Sequence, residues 1–92
     1  MPEVRFTIRW PDGREEGCYS PSTAIGRHLA AGSTYQLPEF LSRVRAGLNE
    51  ASARVEAKFG FACSAAMDQL ARIEAYAATQ PPTGQVACLS LS

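Results

Sequence analysis

Lys58-Phe59-Gly60-Phe61-Ala62-Cys63-Ser64 interrupts two stretches of helical periodicity, and its reading decides the fold. Before it, Phe40, Val44, Leu48, Ala51, Val55 and Phe59 recur at spacings of four and three. That is an amphipathic pattern of about six turns, closed by Phe59. After it, Ala66, Met67, Leu70, Ile73, Ala77 and the ring of Tyr76 outline a second apolar stripe. Glycine readily takes the left-handed conformation that ends many helices, and serine caps the start of one. Gly60 and Ser64 therefore predict helix, tight break, helix, and so short a break folds the two back as an antiparallel pair.

Toward the N-terminus, Pro38 suits the first position of the long helix and Glu39 favours its dipole. The polar face carries Arg43, Arg45, Asn49, Glu50, Arg54 and Lys58. Gly47 inside it costs about 1 kcal/mol relative to Ala, which predicts close packing there. Ser33 to Gln36 reads as loop or as a short extended piece. Ile25 and Leu29 predict a helical turn or two after the Ser20-Pro21-Ser22 break, ended by Gly32. Val4, Phe6, Ile8 and Trp10 alternate with Arg5, Thr7 and Arg9, the period of a strand with one buried face. Pro11-Asp12-Gly13 supplies turn chemistry, and Arg14 to Ser20 returns as the second strand of a hairpin, with Cys18 on the apolar face. Across the outer face Arg5 or Arg9 meets Glu15 or Glu16, a surface pair worth roughly 0.2–1 kcal/mol. Toward the C-terminus, Pro81-Pro82 stops the second helix, Thr83-Gly84 turns, and Val86 to Leu91 forms a last strand. The expected fold is α+β: a small antiparallel or mixed sheet of about three strands, hairpin plus C-terminal strand, covered by the helix pair.

Ninety-two residues make one compact domain, 1–92, burying roughly 60–65% of the unfolded surface. That suffices for one modest core and leaves no room for a large cofactor cradle. Nine Lys and Arg balance nine Asp and Glu, so net charge is zero. No basic stripe runs along the chain, which disfavours nucleic acid as a partner. No run approaches the 18 apolar residues of a membrane helix, and the start lacks the basic-then-apolar pattern of a signal peptide. Cys18, Cys63 and Cys88 are odd in number and widely spaced, and His28 is the one histidine. No metal site and no cofactor is therefore expected, and reduced thiols in a cytoplasmic protein are.

Cys63 is the sharpest chemical candidate. A thiol at a helix N-terminus is favoured as thiolate and would be a nucleophile, but that needs a base, and nothing local brings His28 near. Packing as a small hydrophobe beside Phe59 and Phe61 is the stronger reading. Ser64 and Asp68 would rim the same helix start, although Asp68 opposes an anion there and suits a pair with Arg72. Cys18, Tyr19, Ser20 and Ser22 form a second candidate binding segment, on a loop after a strand. Ser22 is equally a helix cap, and His28 is expected on or near the surface.

Met1-Pro2-Glu3-Val4-Arg5-Phe6, Trp10-Pro11-Asp12-Gly13 and Cys18-Tyr19-Ser20-Pro21-Ser22 occur in order along the chain. With Phe59-Gly60-Phe61-Ala62-Cys63-Ser64 and Met67-Asp68-Gln69-Leu70 they resemble the mycobacterial-type "nitrogen starvation response protein" family. The likeness runs from Met1 to about Ala77 and leaves out the Thr83–Ser92 tail. The resemblance implies cytoplasmic bacterial proteins encoded beside a nitrilase, a radical-SAM protein, an acetyltransferase and an AIR-synthase-like protein. It implies a link to nitrile or cyanide nitrogen assimilation, and no defined reaction or active-site residues. The expectation is thus a non-catalytic accessory protein that binds a protein of a nitrogen-assimilation pathway, or itself as a homodimer. The competing expectation is a small thiol enzyme or ligand-binding protein using Cys63.

Overall fold

Strict alternation makes β1, Val4–Arg9, a one-faced strand. In the computed structural model, which describes residues 3–61 and 64–92, Val4, Phe6, Ile8 and the following Trp10 are buried while Arg5 and Arg9 face solvent. The turn closes through Gly13 N–H to Trp10 O (2.9 Å) and Trp10 N–H to Arg14 O (2.8 Å). Gly13 sits at φ +92°, a conformation that L side chains rarely adopt. β2, Glu15–Ser20, returns antiparallel with Phe6 opposite Cys18 and Arg9 opposite Glu15. The expected cross-strand pair is therefore Arg9–Glu15, at 3.0 Å.

The Ile25 segment is a single 3-10 stretch, Thr23–Arg27, tighter than an α-helix. It ends at His28, and Gly32 (φ +86°) belongs to the next turn and not to the helix end as the sequence suggested. The short extended piece is real. Thr34–Gln36 forms β3, pairing antiparallel with β4, Gln85–Leu91. Among the described residues the sheet thus has four strands, one more than expected, in the order β2-β1-β4-β3, all neighbours antiparallel. Opposite Thr7 and Ile8 the β4 register jumps from Ser90 to Cys88, so Leu89 is an extra residue in a bulge.

α1 spans Leu37–Phe59 and α2 Ser64–Ala77. Pro38 lies in the first turn of α1, and Gly60 ends it at φ +86° with its N–H on Glu56 O (2.8 Å). Gly47 meets Ile25: a Cβ there would lie 2.5 Å from Ile25 Cδ1. Phe40, Val44, Leu48 and Ala51 are buried against the sheet, but the stripe then runs out, leaving Val55 half-buried and Phe59 54% exposed. Phe59 does not close the apolar face. The reason is length: a helix of 23 residues reaches about 34 Å, whereas six-residue strands cover about 20 Å. The last turns of α1 overhang the sheet.

On α2 the buried positions are Ala66, Gln69, Ile73 and Ala77. Leu70 and Tyr76 pack against the core only in part. The face in contact is therefore rotated from the purely apolar stripe, because Gln69 finds a backbone partner inside. The other face of the sheet is polar, with Arg5, Arg9, Glu15, Thr34, Gln36 and Gln85 exposed. Among the described residues, no helix is long and apolar enough to cross a membrane.

Candidate functional site

The Trp10-Pro11-Asp12-Gly13 turn is held by the far end of the chain. Tyr76 donates its hydroxyl to Asp12 Oδ2, which Gln80 Nε2 also reaches at 3.3 Å, while Asp12 Oδ1 accepts from Arg14 N–H at 2.9 Å. The Tyr76 hydroxyl first, then the Arg14 amide, hold the Asp12 carboxyl below its ordinary value of 3.8. The Arg14 guanidinium lies 4.5 Å over the Tyr76 ring, and that ring packs 5.0 Å from Trp10. Trp10 is 1% exposed, meets Phe40 edge-on at 5.8 Å and donates its indole N–H to Glu16 Oε1 at 2.9 Å. A depression of about 340 Å³ opens here between Arg14, Glu16, Arg72, Ala75, Tyr76 and Thr79. The Arg14, Glu16 and Tyr76 groups in it already serve the turn, so this motif is structural.

Of the Cys18–Ser22 candidates, three side chains point inward. Burial pushes the Cys18 thiol up to about 12, and it raises the Cys88 thiol as well. Both are free, buried cysteines. Ser20 donates its hydroxyl to Ser22 O at 2.9 Å, and Ser22 Oγ accepts from Ala24 N–H at 3.1 Å. Ser22 is thus the helix cap that its position suggested.

Tyr19 and Asp68 come together, although 49 positions separate them (68 − 19). With Arg5, Ala65 and Arg72 they line a depression of about 370 Å³ where β2 meets α2. Gln69 makes the seam: its Oε1 accepts from Tyr19 N–H at 3.0 Å and from Arg72 Nη2 at 3.5 Å. Arg72 therefore turns to Gln69, and among the described residues no ion pair joins it to Asp68. Ser64 is exposed at the first position of α2 and Cys63 lies outside the described residues. His28 is half-buried, as expected, with Nε2 3.1 Å from Glu50 Oε1. Among the described residues no three His, Cys, Asp or Glu side chains gather as a metal site would require. Sequence reasoning set Arg72 beside Asp68 but missed Arg5 and Gln69 as neighbours of Tyr19. The one available signal was a glutamine inside an otherwise apolar helix face.

At the elbow between the helices the arrangement reverses. Phe59 is 54% and Phe61 68% exposed, on either side of the left-handed Gly60. The Lys58 ammonium sits 5.5 Å over the Phe59 ring, leaving Phe61 in solvent.

A family model described as "Nitrogen starvation-induced protein NitG" matches residues 5–91. The chain belongs to this family. The match takes in the turn, the β2–α2 seam, the elbow and all of β4, including most of the tail that the resemblance had left out. In this NitG-family chain, then, the hairpin motif is accounted for by packing and the elbow motif is not. No curated protein matches the chain, and no solved structure does.

Proposed function

We propose that this NitG-family protein is a non-catalytic interaction protein of the bacterial nitrogen-starvation response, working in the cytoplasm. Its partner is a protein of nitrile or cyanide nitrogen assimilation, encoded in the nitrilase cluster that the family resemblance implies. The observation that carries this reading is the Phe59–Phe61 elbow. Large aromatic side chains in solvent cost hydrophobic free energy, of order 1.5–3 kcal/mol each against full burial. Aromatic residues are enriched where protein surfaces meet, typically inside a polar rim. The exposed Glu56 and Lys58 supply such a rim. Among the described residues the sheet's open face is polar and offers no comparable apolar patch.

Affinity capture from nitrogen-starved cells tests the proposal, using the whole chain beside a Phe59→Ser/Phe61→Ser double variant. The expected result is a nitrilase-cluster protein captured by the first and lost from the second. Capture of the same protein by both, or self-association alone by light scattering, overturns it.

A further inference from the structure

We propose that the elbow between α1 and α2 is a plug that seats in a concave, uncharged apolar cleft on its partner protein, rather than lying against a flat face or a second copy of itself. The inference rests on the interaction reading above and gives that partner a shape. Residues 56–61 are exposed without a break, and Ser64 and Ala65, the next described residues, are exposed too. Residues 56–59 alone complete more than one helical turn, so no side of α1 faces the core there. The last turn of α1 and the left-handed Gly60 therefore form a convex tip, at the end where the helix has outrun the sheet.

Area decides between occupants. Phe59 is 54% and Phe61 68% exposed, and a phenylalanine presents about 150–250 Å², so the two rings offer roughly 250 Å² of apolar surface. A stable interface buries about 800 Å² on each side. Two copies meeting elbow to elbow fall well short of that. A cleft closes around the flanks of a convex tip as well as over its rings, and so recruits the rest of 56–61. Charge narrows the occupant further. Within 56–61 Glu56 balances Lys58, whose ammonium lies 5.5 Å over the Phe59 ring. The next charges along the two helices, Arg54 and Asp68, balance as well. A tip without net charge gains nothing from an anionic lipid surface, which is bound by basic clusters. Apolar walls suit it, because aromatic rings seated in desolvated pockets carry most of an interface's energy.

The test uses the protein that the whole chain captures from nitrogen-starved cells, held on the immobilised chain and displaced by free chain variants. Phe61→Trp enlarges a ring at an exposed position, so it leaves the fold intact. In a fitted cleft it should displace the partner about tenfold more weakly than the parent chain, because overpacking costs binding. On a flat face the larger ring keeps or tightens binding. Equal or stronger displacement by Phe61→Trp therefore overturns the plug and leaves the elbow's role in binding standing. Two further measurements address the other occupants. The chain alone should sediment as a monomer at about 100 µM, and vesicles of phosphatidylcholine and phosphatidylglycerol in equal parts should not retain it. A dimer or vesicle binding that Phe59→Ser/Phe61→Ser abolishes overturns the cleft, in favour of a second copy or a lipid surface. If nothing elbow-dependent is captured at all, the interaction reading fails and the plug fails with it.

Discussion

The two ends of α2 are built on opposite plans. At its C-terminal end Tyr76 ties the β1–β2 turn down, touching Asp12, Arg14 and Trp10, and Pro11 packs so closely on Gly84 that a Cβ there would come within 2.6 Å of its ring. At its N-terminal end Phe59 and Phe61 stand in water beside a glycine turn. Both ends are built from long, distinctive sequence motifs. The comparison teaches that distinctiveness alone does not separate a folding motif from a binding one. Burial and partners do: the turn's side chains are buried or bonded into the fold, and the elbow's two phenylalanines stand exposed.

The largest effect expected is at the turn. Trp10→Ala should cost about 3–5 kcal/mol by urea denaturation, as a buried aromatic does. A loss near zero would mean that the turn is as dispensable to folding as the elbow. Within α2, Ile73→Ala should cost about 2–5 kcal/mol and Leu70→Ala about half as much, because Ile73 is fully buried and Leu70 only partly. The reverse ranking would put the helix on the face that the sequence pattern favours.

A pH titration sharpens the role of the clamp. The folded-state value of Asp12 is depressed, so its contribution is present above the ordinary 3.8 and is lost as pH falls through the lower folded value. Tyr76→Phe removes the largest cause of that depression. It should therefore flatten the acid limb of stability below pH 3.8 and leave its pH dependence near neutrality unchanged. Thiol labelling gives a smaller, kinetic contrast. Cys18 and Cys88 are buried with raised values, so iodoacetamide at neutral pH should leave both unmodified in the native state and modify them in urea. Any fast native labelling then reports Cys63 alone. Mass spectrometry placing native label on Cys18 would contradict the packing of β2.

Much of the fold was legible because the periods were clean. The alternation in Val4–Trp10, the stripe from Phe40 to Ala51, the close contact at Gly47 and the left-handed Gly60 all follow from local rules. β3 was half-legible: three residues make too short a run for period two to register, and only pairing with β4 makes Thr34–Gln36 a strand. Phe59 was misplaced because a helical stripe says which side faces inward and not how far the sheet beneath extends. The β2–α2 seam was legible only as separate residues. Tyr19 and Asp68 were singled out on their own merits, but what joins them is Gln69 bonding to a backbone amide 50 positions away, which no spacing encodes.

The central claim is that the elbow serves binding and not folding. It is tested most directly by one comparison: partner capture from nitrogen-starved cells by Phe59→Ser/Phe61→Ser protein whose urea midpoint has been matched to the parent chain. Exposed positions away from special contacts usually change stability by no more than about 0.5 kcal/mol, so the midpoints should agree. The account predicts unchanged stability with the partner lost. Unchanged capture, or a folding defect of the size expected for Trp10→Ala, would contradict it.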